Sequence, residues 1–209
     1  MNHGRLADPT WGSLPVSGAF CSNEIFSRFL AGINRTYPSV LEDQIPGFLG
    51  DVAYVNASTG TNTFYPDRRA DNTVYALWIG TNDLGRDAFL TDSQQPGLAL
   101  PALPACFWAV FDALHAAGAR RFVLFQQAPL DRSPLYAAPE HGGAPASQYW
   151  RDKPATCNAT AVEQMMLGNV ASVNTMAATG APFELRLRGR WPGASIALFD
   201  THQIGRAHV

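Results

Sequence analysis

Apolar residues in this chain come in short blocks separated by polar, glycine- and proline-marked turns. Val74 to Ile79 is apolar at every position, which predicts a strand buried on both faces inside a parallel sheet. Further on, "ALPACFWAVFDALHAAGARR" sets Phe107, Val110, Phe111 and Leu114 on one helical face and stops at Gly118. "RFVLFQQAPL" follows at once as another strand. Ala159 to Ala178 has the pattern of a helix, and "ASIALFDT" (Ala194–Thr201) that of a last strand. Upstream, "LPVSGAF" (Leu14–Phe20) reads as a short strand breaking at Gly18. Asn23 to Ile33 reads as a helix capped by Ser22 or Asn23, and "SVLEDQIPGFLGDV" as a helical piece interrupted at Pro46.

Strands alternating with helices of this length predict βαβ units: an α/β fold with a doubly wound parallel sheet, in one domain spanning residues 1–209. Ligands of such sheets bind beyond the carboxyl ends of the strands, where Gly18, Gly80 to Asn82, Ala128-Pro129 and Asp200 to His202 fall. The segment from Leu130 to Asn158 has no periodicity and is rich in proline, glycine and aromatics, as expected of a lid or binding surface.

Composition narrows the class. At 46% apolar and 15% charged residues the chain can build a packed core, and a net charge of −2 without a basic stripe argues against nucleic-acid or anionic-membrane partners. No segment reaches the ~18–20 apolar residues that cross a bilayer. The first residues lack the apolar stretch of a secretory leader. Three glycosylation sequons, at Asn34, Asn56 and Asn158, nonetheless suit a secreted protein, as do a single lysine (Lys153) and 15 prolines. Cys21, Cys106 and Cys157 have no metal-ligand spacing; one disulfide with an odd thiol and three buried thiols both remain open.

The blocks "VSGAFCSNEI", "VLEDQIPGFL", "DNTVYALWIGTNDLG", "AFLTDSQ", "FDALHAAGARRFVLFQQAPLDRSPLY", "QYW" and "RWPGASIALFD" resemble the fungal branch of the SGNH, or GDSL-type, hydrolases, among them secreted carbohydrate acetyl esterases. The resemblance runs from about residue 16 to residue 202. It implies a three-layer α/β/α serine esterase of flavodoxin-like topology, without metal or cofactor. It also assigns Gly18 and Asn82 to an oxyanion hole, and suggests a Cys21–Cys106 pairing that leaves Cys157 odd. The chemistry is apt: glycine lets a backbone N–H approach closely, and the asparagine amide is a neutral donor to a developing oxyanion. Read locally, Gly18 is a plain turn and Asn82 a helix cap.

The family's Gly-Asp-Ser nucleophile block is absent from this chain. Ser13 in "WGSLP" stands only five residues before Gly18, whereas a crossover between those blocks takes at least ~10–12 residues. Ser17 and Ser22 flank the oxyanion glycine and would point with its loop. Asp200 and His202 are weak candidates for acid and base, because two residues apart is not Asp-x-x-His, and His202 is expected to be structural. His115 and His141 suit surface positions, and Asp83 a capping or hydrogen-bonding role.

The resulting expectation is a secreted, monomeric carboxylic-ester hydrolase acting on acetyl or short acyl esters, such as those of plant-wall sugars. As written, the chain would be inactive and, lacking its first strand, poorly stable. The alternative is a non-catalytic sugar-binding relative using Tyr136, Tyr149 and Trp150; a flavodoxin-like nucleotide binder is disfavoured by the lack of a phosphate loop. Residues 203–209 depart from the resemblance, and Ile204 to Val209 back-translates into a sequencing-adapter string. They are expected to be a non-native tail, with the signal peptide and Gly-Asp-Ser block upstream and the Asp-x-x-His downstream in the full-length protein.

Overall fold

In a computed structural model of the chain, residues 17–30 and 34–207 are described. The expected α/β architecture is present as a three-stranded parallel sheet, β3 (Tyr75–Leu77), β4 (Arg121–Phe125) and β5 (Ser195–Phe199), in that order. Its register pairs Tyr75 with Phe122 and Phe122 with Ile196. A separate antiparallel pair joins β1 (Phe29–Leu30) to β2 (Arg35–Thr36).

The helices follow the sequence pattern. α2 (Ala102–Ala116) buries Leu103, Phe107, Val110, Phe111 and Leu114, a three-to-four-residue repeat that makes one face. It ends where Gly118 turns at φ 90°. α4 (Ala159–Pro182) buries Val162, Met166, Val170, Val173, Ala177 and Ala181 on the same repeat, and Asn158 caps it by accepting the Ala161 N–H. It runs four residues beyond the expected end. Between them, α3 (Lys153–Thr156) is one short turn.

α2 and α4 pack on one face of the sheet, where Phe122 meets Phe111 at 4.8 Å and Trp191 at 6.1 Å. The expectation that Val74 to Ile79 is buried on both faces is corrected. Leu77 is buried, but Trp78 is 60% exposed and stacks on Phe125, which in turn meets Phe199, in an aromatic row along the opposite face. Among the described residues nothing pairs with the outer edge of β3.

Residues 17–53 differ most from expectation. The first strand is replaced by a turn at Gly18 and a single bridge between Phe20 and Ser39; Leu14 to Val16, and Ser13, lie outside the described residues. The helix expected over Asn23–Ile33 is one turn, after which the chain extends into β1; residues 31–33 lie outside the description. The Ser22 hydroxyl accepts the Glu24 N–H and donates to Glu42 Oε1 at 2.6 Å, local bonding that competes with helix formation. Pro46 does not interrupt a helix. It sits in the first turn of α1 (Ile45–Ala53), where its missing N–H costs nothing, behind a π-helical stretch Val40–Gln44.

The long Leu130–Asn158 segment is held from within. Lys153, the chain's only lysine, is 3% exposed, and its ammonium donates to the carbonyls of Leu135 (2.9 Å), Ala144 (3.2 Å) and Ala137 (3.4 Å). Glu163 of α4 accepts the Ala138 N–H at 2.7 Å and meets His141 at 2.9 Å; the first bond, then the second, holds its carboxyl below the usual range. Replacing Lys153 by Met should strip partners from those carbonyls and cost about 2–3 kcal/mol, read as a lower urea midpoint. An unchanged midpoint would mean the segment holds itself without the ammonium.

Candidate functional site

β3 delivers Gly80-Thr81-Asn82-Asp83 to the carboxyl end of the sheet. Gly80 has φ 123°, and a Cβ there would lie 2.7 Å from the Gln127 amide. That space lets Gln127, from the end of β4, donate to the Ile79 carbonyl at 2.7 Å while Asn174 of α4 bonds its backbone on both sides. The two strand ends and α4 are thereby fixed to one another.

Asn82 and Gly18, 64 residues apart in the chain by their numbers, lie together. The Asn82 Nδ2 donates to the carbonyl of Ala19 at 3.0 Å, which uses one of its two N–H groups. Gly18 turns at φ 85°, with Tyr37 so near that a Cβ would sit 2.7 Å from its hydroxyl; that hydroxyl donates to the Ser17 carbonyl. Both residues line a cavity of about 780 Å³ whose other walls are Arg28, Tyr37 and the long segment, including Leu135 and Tyr136.

Asp83, next in the chain, is fully buried. Its Oδ1 accepts the Cys21 N–H at 2.9 Å, and its Oδ2 has no hydrogen-bond partner. Burial pushes its carboxyl up to about 7, against the lowering effect of the Cys21 bond. Cys21 is also joined to Cys106 of α2 by a disulfide, while Cys157 is a half-buried thiol. The loop carrying Gly18 is thus pinned from two sides, by β3 through Asp83 and by α2 through sulfur.

The remaining candidates lie elsewhere. Asp200 caps α5 (Thr201–Arg206), accepting the Gln203 N–H at 2.8 Å. His202 Nε2 meets Arg206 Nε at 2.8 Å, and its Nδ1 has no partner, so the two residues form no acid–base pair and neither lines the cavity. The Ser22 hydroxyl is committed to Glu42. Among the described residues lining the cavity there is no histidine. Of the three aromatics of the long segment, Tyr136 lines the cavity with its phenol raised by burial, and Tyr149 stands 70% exposed at its edge. Trp150 is 3% exposed, with the Arg86 guanidinium 5.8 Å and the Lys153 ammonium 6.0 Å from its ring centre, and lines a neighbouring cavity instead. The three sequon asparagines are partly or well exposed, and the Asn158 cap uses its Oδ1, which leaves its Nδ2 outward. Arg28 and Lys153 carry no local signal of a site-forming role, and Asp83 reads locally only as a capping or hydrogen-bonding residue because its partner Cys21 lies 62 positions away.

A glycine turn and an asparagine amide thus stand together at the carboxyl edge of the sheet, the place where ligands of α/β sheets bind. Comparison with known proteins makes this more particular. The chain is 41% identical over 189 residues to an acetylesterase of Hypocrea jecorina, with 90% of this chain and 52% of that protein aligned. It is 29% identical over 183 residues to an acetylesterase of Thermothelomyces thermophilus, with 85% of this chain and 59% of that one aligned. The chain is acetylesterase-like along most of its length, and spans somewhat over half the length of these relatives. No protein-family model matches it.

Proposed function

We propose that this chain forms the acyl-binding part of an SGNH-type serine esterase acting on acetyl or other short acyl esters of plant-wall sugars. The observation that carries it is the meeting of Gly18 and Asn82 at one cavity, with one Asn82 N–H fixing the glycine loop and the other available. In the reaction, a serine attacks the ester carbonyl. The charge that develops on its oxygen is taken by the Gly18 N–H and the free Asn82 N–H. The tetrahedral species then collapses, breaking the ester C–O bond and releasing the alcohol, which takes the serine's proton from the base. Water attacks the acyl-enzyme to release the acid and the serine. The nucleophile and the Asp-x-x-His base would come from the rest of the polypeptide. The disulfide and the exposed sequons support a secreted glycoprotein.

A second reading, a sugar-binding relative without catalysis, is favoured by one observation: Ser22 is hydrogen-bonded to Glu42 and no described histidine faces the cavity. Assays with p-nitrophenyl acetate separate the two. The 209-residue chain should show no turnover above background. The whole protein should be active, and Asn82→Ala in it should lower kcat by about 10²–10³ with little change in KM. Robust turnover by the chain itself, abolished by Ser22→Ala, would overturn the assignment of the nucleophile, and an inactive whole protein would leave the binding role.

A further inference from the structure

Arg28 is a cavity-lining cation that the site described above does not use. Its guanidinium lies 4.6 Å from the centre of the buried Phe20 ring and 5.9 Å from that of Tyr37. Its backbone carbonyl accepts the Tyr37 N–H at 2.7 Å, so stem and head are both held against the wall that carries Gly18. Among the described residues no carboxylate stands within ion-pair distance of it. The other charges lining the cavity are Arg86 and Asp87, and these face each other at 3.6 Å, with Asp152 also 3.5 Å from Arg86. Asp83 lies behind the wall, fully buried, with its carboxyl raised.

A half-buried guanidinium stacked on ring faces, with no carboxylate of the described residues within ion-pair distance, has its planar N–H donors unfilled on the cavity side. Such a fork matches a carboxylate in two parallel hydrogen bonds, and the aromatic stack fixes its plane beforehand. We propose that Arg28 sets the specificity of this cavity for acidic sugars, receiving the carboxylate of a uronate ring in an acetylated, uronate-bearing oligosaccharide. The inference rests on the ester-hydrolase reading and adds the substrate class. A neutral acetylated sugar would fill the same cavity and leave the guanidinium bare.

Calorimetric titration of the 209-residue chain at pH 6.5 tests it with a matched pair, digalacturonic acid and its methyl ester, which differ in charge but not in ring. The acid should bind about tenfold or more tightly than the ester, and this advantage should shrink between 0.05 and 0.5 M salt, values on the order of the range in which exposed charges become screened. Arg28→Met, which keeps the apolar stem, should erase the advantage while leaving the methyl ester bound as before; Arg28→Lys should retain only part of it. If Arg28→Met does not fold, the matched pair and its salt dependence on the unaltered chain still decide. Equal binding of acid and ester overturns the proposal, and so does acetate ion competing as well as the uronate, which would make the guanidinium a site for released product. Acetylated xylobiose is the third arm. If it binds while acid and ester do not differ, the esterase reading stands and the specificity fails; if no sugar binds, both fail.

Discussion

Breaking the Cys21–Cys106 disulfide is expected to remove about 4–5 kcal/mol of stability, enough to leave much of the chain unfolded at ordinary temperatures. The two residues are 85 positions apart, and closing a loop of that length restricts the unfolded chain by roughly this amount in the chain-entropy account. The loss should fall unevenly. Sulfur ties the Gly18 loop to α2, and the remaining ties are hydrogen bonds, among them the Cys21 N–H to Asp83 and the Asn82 amide to the Ala19 carbonyl. Urea titrations of the oxidised chain and of Cys21→Ser/Cys106→Ser, followed by tryptophan fluorescence, provide the measurement. Coincident midpoints would show that the loop is held by packing alone.

Asp83 should make stability fall as pH rises from about 4 to 7. Its carboxyl has an ordinary value of 3.8 and is pushed by burial to about 7 in the folded chain. Between those values the folded state keeps a proton that the unfolded state has released, so stability is greatest below 3.8 and declines until the folded carboxyl ionises. A shift of that size corresponds to on the order of 4 kcal/mol across the window. Asp83→Asn keeps an acceptor for the Cys21 N–H and places a neutral amide where Oδ2 now has no partner. The variant should match the parent at pH 4 and exceed it at pH 8, with the difference opening through the window. Denaturation curves that stay parallel at every pH would refute this account, because the variant removes Asp83's titration and no other.

What could be read in the sequence was what local pattern decides. β4, β5, α2 and α4 follow from unbroken apolar runs or a three-to-four repeat; the repeat also gives each helix its buried side, whereas β5 keeps no residue fully buried. β3 was found for the same reason, yet its two-sided burial was overestimated, since Trp78 is as apolar as its neighbours and pattern alone does not say which face has a cover. The stretch before α1 was misread because its shape is set by distant partners. Asp83 takes the Cys21 N–H from 62 residues away, and Glu42 draws in Ser22 and Ser39. Gly18 and Asn82 were named through resemblance, and only the fold brings them to one cavity. Asp200 and His202, two residues apart, serve different partners: Asp200 accepts the Gln203 N–H as a helix cap, and His202 meets Arg206.

The buried ammonium of Lys153 has a practical side. Reagents that acylate amines normally find many surface lysines and attach a protein in as many orientations. Here the chain's only ε-amine is enclosed by three carbonyls, so such reagents find no open lysine on the folded chain.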